Sequence, residues 1–132
     1  MNDRYLYRAK RKKDGKWTTW NALTGIHGLE RIEDDTICQC TGLKDKNGKL
    51  IWENDIVTAM HTKFIEEDGL PFNTEKYIRN YIVEYCNTGS HCGWRLRNKS
   101  IHFSISGNTI YNHNIQKIGN IFDNPELLEV GE

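Results

Sequence analysis

Two turn signals close together near the middle of this chain limit its fold more than any other feature. Asp45-Lys46-Asn47-Gly48-Lys49 carries an Asn-Gly pair, and both residues tolerate the positive φ that two-residue hairpin turns require. Leu43 precedes it, and Leu50, Ile51 and Trp52 follow, so two strands should meet at a tight loop. Glu53-Asn54-Asp55 is a second corner, with Asn54 suited to a left-handed conformation that most side chains avoid. Ile56-Val57 then resumes a β-branched run that favours a strand. Thr41 to Val57 therefore reads as a hairpin, a corner and the start of a buried strand.

The rest of the chain repeats this pattern. Tyr5-Leu6-Tyr7-Arg8-Ala9 alternates, Lys12-Lys13-Asp14-Gly15-Lys16 turns, and Trp17 to Leu23 returns, which predicts an N-terminal hairpin. Thr24 to Asp35 reads as loop with one short element. Thr36 to Thr41 alternates into the central block, and Asp55 to Phe64 continues as strand. Ile65 to Lys76 holds Glu66, Glu67, Asp68, Gly69 and Pro71 and reads as a mobile loop or insertion. Strands are expected at Tyr77–Tyr85, Trp94–Arg97, Ile101–Ile105 and Ile115–Phe122, with a polar turn from Cys86 to Gly93. A terminal helical turn should start at Asn124 as N-cap with Pro125 at its first position. Many short strands, regular turns and almost no helical periodicity make an all-β signature, mainly β with little helix, of the barrel or sandwich kind.

A chain of 132 residues forms one domain, or two very small intimately packed ones, and buries roughly two-thirds of its unfolded surface, enough to fold without metals or disulfides. No apolar run approaches the ~20 residues of a membrane span, and no signal peptide is visible, so a cytoplasmic protein is expected. Formal net charge is zero, which argues against a protein dedicated to coating polyanions. The charge is unevenly spread. Residues 1–20 carry seven basic residues against two acidic ones, and residues 113–132 carry one against four. Opposite ends should attract, within a subunit or between subunits.

Three separated blocks carry a family resemblance. They are Tyr7-Arg8-Ala9-Lys10 followed by Lys16-Trp17, the central block with its Glu53-Asn54-Asp55-Ile56-Val57 corner, and Ile118-Gly119-Asn120-Ile121-Phe122-Asp123-Asn124-Pro125-Glu126-Leu127-Leu128. With the Tyr81-Ile82-Val83-Glu84-Tyr85 strand between them, this ordered set resembles the YopX family, small proteins found mostly in phages and prophages. The family usually has glycine where this chain has Asn54, a conservative departure. The resemblance implies an SH3-like small barrel in the central and C-terminal part. It thus implies a single YopX-like domain over 1–132, with an N-terminal hairpin region (1–35), a barrel-like core (36–124) and a C-terminal tail (125–132). It also implies the cytoplasm of a host bacterium and a homo-oligomer, and it carries over no catalytic or binding residue.

Candidate chemistry is sparse. Cys38 and Cys40 are two apart and share a strand face, while Cys86 and Cys92 bracket His91. Structural zinc sites pair cysteines with two to four residues between them, whereas Cys38 and Cys40 have one between and Cys86 and Cys92 five, so reduced cysteines and no metal are expected. The five histidines are scattered without a motif, and His102 is expected on a polar strand face. The acidic clusters Glu33-Asp34-Asp35 and Glu66-Glu67-Asp68 read as solvated loop charge. No phosphate-binding glycine loop is present. No cofactor and no enzymatic activity are expected. The basic run offers Arg8, Lys10, Arg11, Lys12 and Lys13 as phosphate contacts on nucleic acid, with Tyr5, Tyr7, Trp17 and Trp20 as stacking platforms. Its bland counterpart is a solvated hairpin tip whose lysines deter edge pairing. Trp52 and Trp94 are expected to plug the core. The leading expectation is a phage or prophage accessory protein that binds itself or a phage or host protein. The alternative is a nucleic-acid-binding small barrel using the basic hairpin.

Overall fold

The central block folds as its turn residues dictate, with one difference in the turn itself. In the computed structural model, which describes residues 5–25, 31–67, 69–88 and 91–128, β3 (Cys38–Lys44) and β4 (Leu50–Trp52) pair antiparallel. Only Gly48 takes positive φ (83°); Asn47 does not. The turn is a longer loop clamped by Asp45, whose Oδ1 accepts the amides of Asn47 and Lys49, both at 2.9 Å. Its Oδ2 accepts the amide of Lys117 at 2.9 Å, which ties the loop to the last strand. A side chain that caps its own turn removes the need for a second left-handed residue.

Asn54 does adopt the left-handed conformation (φ 70°). Its amide donates to Val83 O and its carbonyl accepts from Ile121, so the corner joins three segments. Its side-chain amide also reaches Cys38 Sγ at 3.6 Å, a contact glycine could not make.

The strands form two antiparallel sheets. The first, in the order β2-β1-β3-β4, begins with the predicted hairpin of β1 (Leu6–Lys10) and β2 (Trp17–Asn21). The second has the order β8-β7-β6-β5-β9 and comprises β5 (Asp55–Glu67), β6 (Leu70–Thr88), β7 (His91–Asn98), β8 (Ile101–Ser104) and β9 (Gln116–Asn120). The all-β class is therefore present. The sheets meet at the Asn54 corner through isolated hydrogen bonds, such as Asn54 N to Val83 O, and neither closes into a barrel among the described residues.

The segment expected as a loop from Ile65 to Lys76 is largely strand. β5 and β6 stay in register from Ile56↔Ile82 to Ile65↔Asn73 and turn only around Gly69. Cross-strand pairing overrides the local charge and the Pro71 signal, which falls where an edge position tolerates it. The turn expected from Cys86 to Gly93 likewise shrinks, because β6 and β7 pair as far as Thr88↔His91. A short helix, α1 (Gly107–Asn112), is absent from the sequence reading. Six residues are too few for a helical period, and its one signal is the Ser106 cap, whose side chain accepts the Thr109 amide. The terminal turn at Pro125–Leu128 lies where predicted.

The core lies between the inner face of the second sheet, α1 and the central hairpin. Ile51, Val57, Ala59, Tyr81, Val83, Leu96, Ile105, Ile110 and Ile115 fill it, with Leu43, Trp94 and Phe103 at its margin. Trp94 thus packs as expected, while Trp52 sits between the sheets, near Arg8.

Candidate functional site

The basic hairpin is mostly committed to its own protein. Arg8 is buried, and its Nη2 donates to Asp55 Oδ1 at 2.7 Å. Its guanidinium lies 4.4 Å from the ring centre of Trp17 and 5.2 Å from that of Trp52, within cation–π range. Arg8 alternates with Tyr7 along β1, and register places it opposite Cys38 and Thr19, facing the second sheet. An inward cation needs an acid. Asp55 meets that need and also accepts the Trp52 amide at 2.7 Å and Lys117 Nζ at 3.3 Å. Burial pushes the Asp55 carboxyl up in pKa, and Arg8, Lys117 and the Trp52 amide pull against that shift.

Lys10 bonds Asp123, which also accepts Trp17 Nε1 at 2.9 Å. Arg11 forms a two-pronged pair with Asp14, at 2.5 and 3.1 Å. Of the five predicted phosphate contacts, Lys12 and Lys13 alone remain exposed at the tip, joined there by Lys16. The opposite charges of the two ends therefore meet within one subunit, at Lys10–Asp123.

That link has a pH signature. Hydrogen bonds from Lys10 and then Trp17 lower the Asp123 pKa from 3.8 to about 2. A depressed carboxylate contributes stability that is complete above its unfolded pKa and lost as pH falls through the folded value. Urea midpoints should therefore drop between about pH 4 and pH 2, and Asp123→Asn should shrink that drop. Identical acid profiles for the two proteins would show that the link contributes nothing.

Cys38, Cys40 and Cys86 are buried and unbridged. Burial raises the Cys38 thiol pKa, against the pull of Asn54 and Arg8, which makes it a packed thiol and a poor nucleophile. The side chains of His91 and Cys92 lie outside the described residues. Among the described residues no group of three or more His, Cys, Asp or Glu is arranged to hold a metal ion, and no helix is long and apolar enough to cross a membrane. His102 is exposed, as predicted, but so is its neighbour Ile101.

Two features went unseen in the sequence. One is the arm formed by β5 and β6. β9 pairs with β5 over Asp55–Thr58, and β7 joins β6 only from Ile82 onward. Met60 still bonds His113 through both its amide and its carbonyl; beyond it, among the described residues, the two strands pair only with each other for roughly 20 Å. On the inner face of its base, His61 stacks with Tyr77, packs edge-on to Tyr81 and Phe103, and lies 5.2 Å from the His113 ring. Tyr81 Oη and His61 Nε2 share a 2.7 Å hydrogen bond. Burial, then His113 and Arg79, lower the His61 pKa, so the ring is neutral at pH 7. Farther out this face carries the exposed Lys63–Glu75 pair. On the other face, cross-strand register aligns Met60 with Ile78 and Phe64 with Thr74, leaving Ile78 56% and Phe64 79% exposed.

The second feature is a concavity of about 400 Å³ on the outer side of the first sheet, lined by Tyr5, Tyr7, Ala22 and Gln39. Tyr7 is backed there by Trp20, whose ring lies 6.0 Å away and nearly parallel.

No curated protein matches this chain. The family model described as YopX protein matches residues 1–129. With the Asn54 corner, the paired N-terminal strand and the Gly119-to-Leu128 ending all in place, the chain belongs to the YopX family.

Proposed function

We propose that this protein is a phage or prophage accessory protein of the host cytoplasm that acts by binding, without chemistry of its own, and that it assembles with a second copy of itself through the β5–β6 arm. The carrying observation is that, among the described residues, no third strand pairs with the arm beyond Met60. A two-stranded ribbon alone is marginal in water, and strand edges that no third strand covers are open to pairing with another chain. Ile78 and Phe64 are two large exposed apolar side chains on one face, with the Thr62–Lys76 pair between them, and such side chains are the usual anchors of an interface. Residues 59–81 carry Lys63, Lys76 and Arg79 against Glu66, Glu67, Asp68 and Glu75, a near balance that leaves little net field to repel an identical arm. A nucleic-acid role for the whole basic run is less favoured, because Arg8, Lys10 and Arg11 already hold carboxylates.

Size-exclusion chromatography with light scattering over a concentration series should show a dimer or higher oligomer. Phe64→Glu with Ile78→Glu should push it toward monomer, weakening association by about 2 kcal/mol or more, roughly 30-fold. Both side chains are exposed, so the circular dichroism spectrum should not change. A wild-type chain that remains monomeric at the highest attainable concentration would sink the proposal.

A further inference from the structure

The outer face of the first sheet carries a second binding surface, independent of the arm. Tyr5, just before β1, and Tyr7 within it line the same concavity. Across the strand pair, Tyr7 stands opposite Trp20 and, on its other side, Gln39, while the Tyr5 carbonyl accepts the Ala22 amide at 2.7 Å. These residues build the 400 Å³ concavity. Its size falls within the range of small-ligand sites, and its walls are aromatic with one carboxamide that can both donate and accept. Tyr5 is 45% exposed, so its ring is available for stacking.

The charge on the same hairpin indicates what would fill this concavity. Lys12, Lys13 and Lys16 are exposed at the tip, about five residues from Tyr7, or roughly 16 Å along the strand. Aromatic rings at one end of a hairpin and cations at the other are the two elements of a single-stranded nucleic-acid site: rings stack bases, and lysines follow the phosphates. A duplex hides its base faces and would meet only the cations. We infer that this face binds single-stranded nucleic acid, with a base stacked in the Tyr5–Tyr7 concavity and the adjoining backbone running toward Lys12, Lys13 and Lys16. The contacts differ from those expected of the basic run as a whole, since Arg8, Lys10 and Arg11 take no part.

The difference can be measured. Binding of the full chain to a fluorescein-labelled oligothymidylate should have a log–log salt slope of about −2, the value for three phosphate contacts on a single strand. Engagement of all five predicted residues would steepen it to about −3.5. Tyr5→Ala should weaken binding about 5- to 150-fold, the usual worth of one stacked base, and Tyr5→Phe should restore it. Tyr7→Ala should act in the same direction, but it can also disturb β1, so Tyr5, just outside the strand, is the decisive position. Lys12→Glu with Lys13→Glu should lower both affinity and slope. An abasic oligonucleotide of equal length should bind no better to wild type than to Tyr5→Ala. The inference is overturned by absence of binding at low salt, by duplex bound as tightly as single strand, or by a folded Tyr5→Ala protein with unchanged affinity. It is equally overturned if a proline-rich peptide occupies the concavity while oligothymidylate does not.

Discussion

Asp55→Ala is expected to destabilise the protein by about 3–5 kcal/mol, the cost of leaving a buried charge without its partner. Asp55 is fully buried and accepts from Arg8, Lys117 and the Trp52 amide. Alanine would leave Arg8 enclosed between Trp17 and Trp52 with no anion, and would strand the Trp52 amide away from water. Arg8 has little slack, because its buried Nε already lacks an acceptor among the described residues. Folded proteins of this size hold only about 5–15 kcal/mol, so the loss should lower the melting temperature by roughly 10–20 °C. Asp55→Asn keeps the shape and an oxygen for the Trp52 amide, and should cost distinctly less. Thermal and urea unfolding of both variants tests this. If alanine and asparagine cost the same, the charge is not what matters; if neither costs more than about 1 kcal/mol, the junction between the sheets does not depend on Asp55.

Tyr81→Ala should cost about as much, roughly 3–5 kcal/mol, by a different route. Tyr81 is the largest fully buried side chain, and its ring meets His61 and Phe103 at the root of the arm. Removing it opens a cavity that the surrounding sheet cannot close. Tyr81→Phe keeps the ring and loses only the hydroxyl shared with His61, so about 1–2 kcal/mol is expected. The two variants should also separate in hydrogen exchange. Tyr81→Ala should strip protection from arm amides before the core, since the His61 cluster anchors the arm's base. Equal losses for the two variants, or an arm as protected as in wild type, would remove the anchoring role.

These two residues also mark how far the sequence could be read. Asp55 was visible as part of a corner, and Arg8 as part of a basic run. Their pairing was not, because 47 residues separate them and a run of cations reads as a solvated tip. A signal was present: Arg8 alternates in step with the inward-facing positions of β1, so its charge had to be met inside. Lys10 and Asp123 are 113 residues apart, and the opposite charges of the two ends anticipated their attraction without naming the pair. The acidic and proline-containing stretch after Ile65 misled, because local composition signals a loop wherever its partner strand is not considered. Nothing local distinguishes a strand that continues past its sheet from a loop. Only the register of β5 against β6 does, and that register is set at the buried end, by Val57 and Tyr81.

The sequence by itself determined what depends on near neighbours. Alternation, Asn-Gly and Asp-Gly turns, a left-handed Asn54 and the Pro125 that opens the last turn each act within a few residues, so the all-β class, the first and central hairpins and the terminal turn were legible in one dimension, although Asn124 Oδ1 accepts the Asn120 amide. Tertiary structure decided what depends on distant partners: two open sheets joined at a corner, a buried Arg8–Asp55–Lys117 junction, and an arm that outruns its neighbours. It also divided the basic hairpin into cations already held by carboxylates and cations left facing water. Whether a charge is satisfied depends on which residues folding brings within a few ångströms, and that distance is not encoded in spacing along the chain.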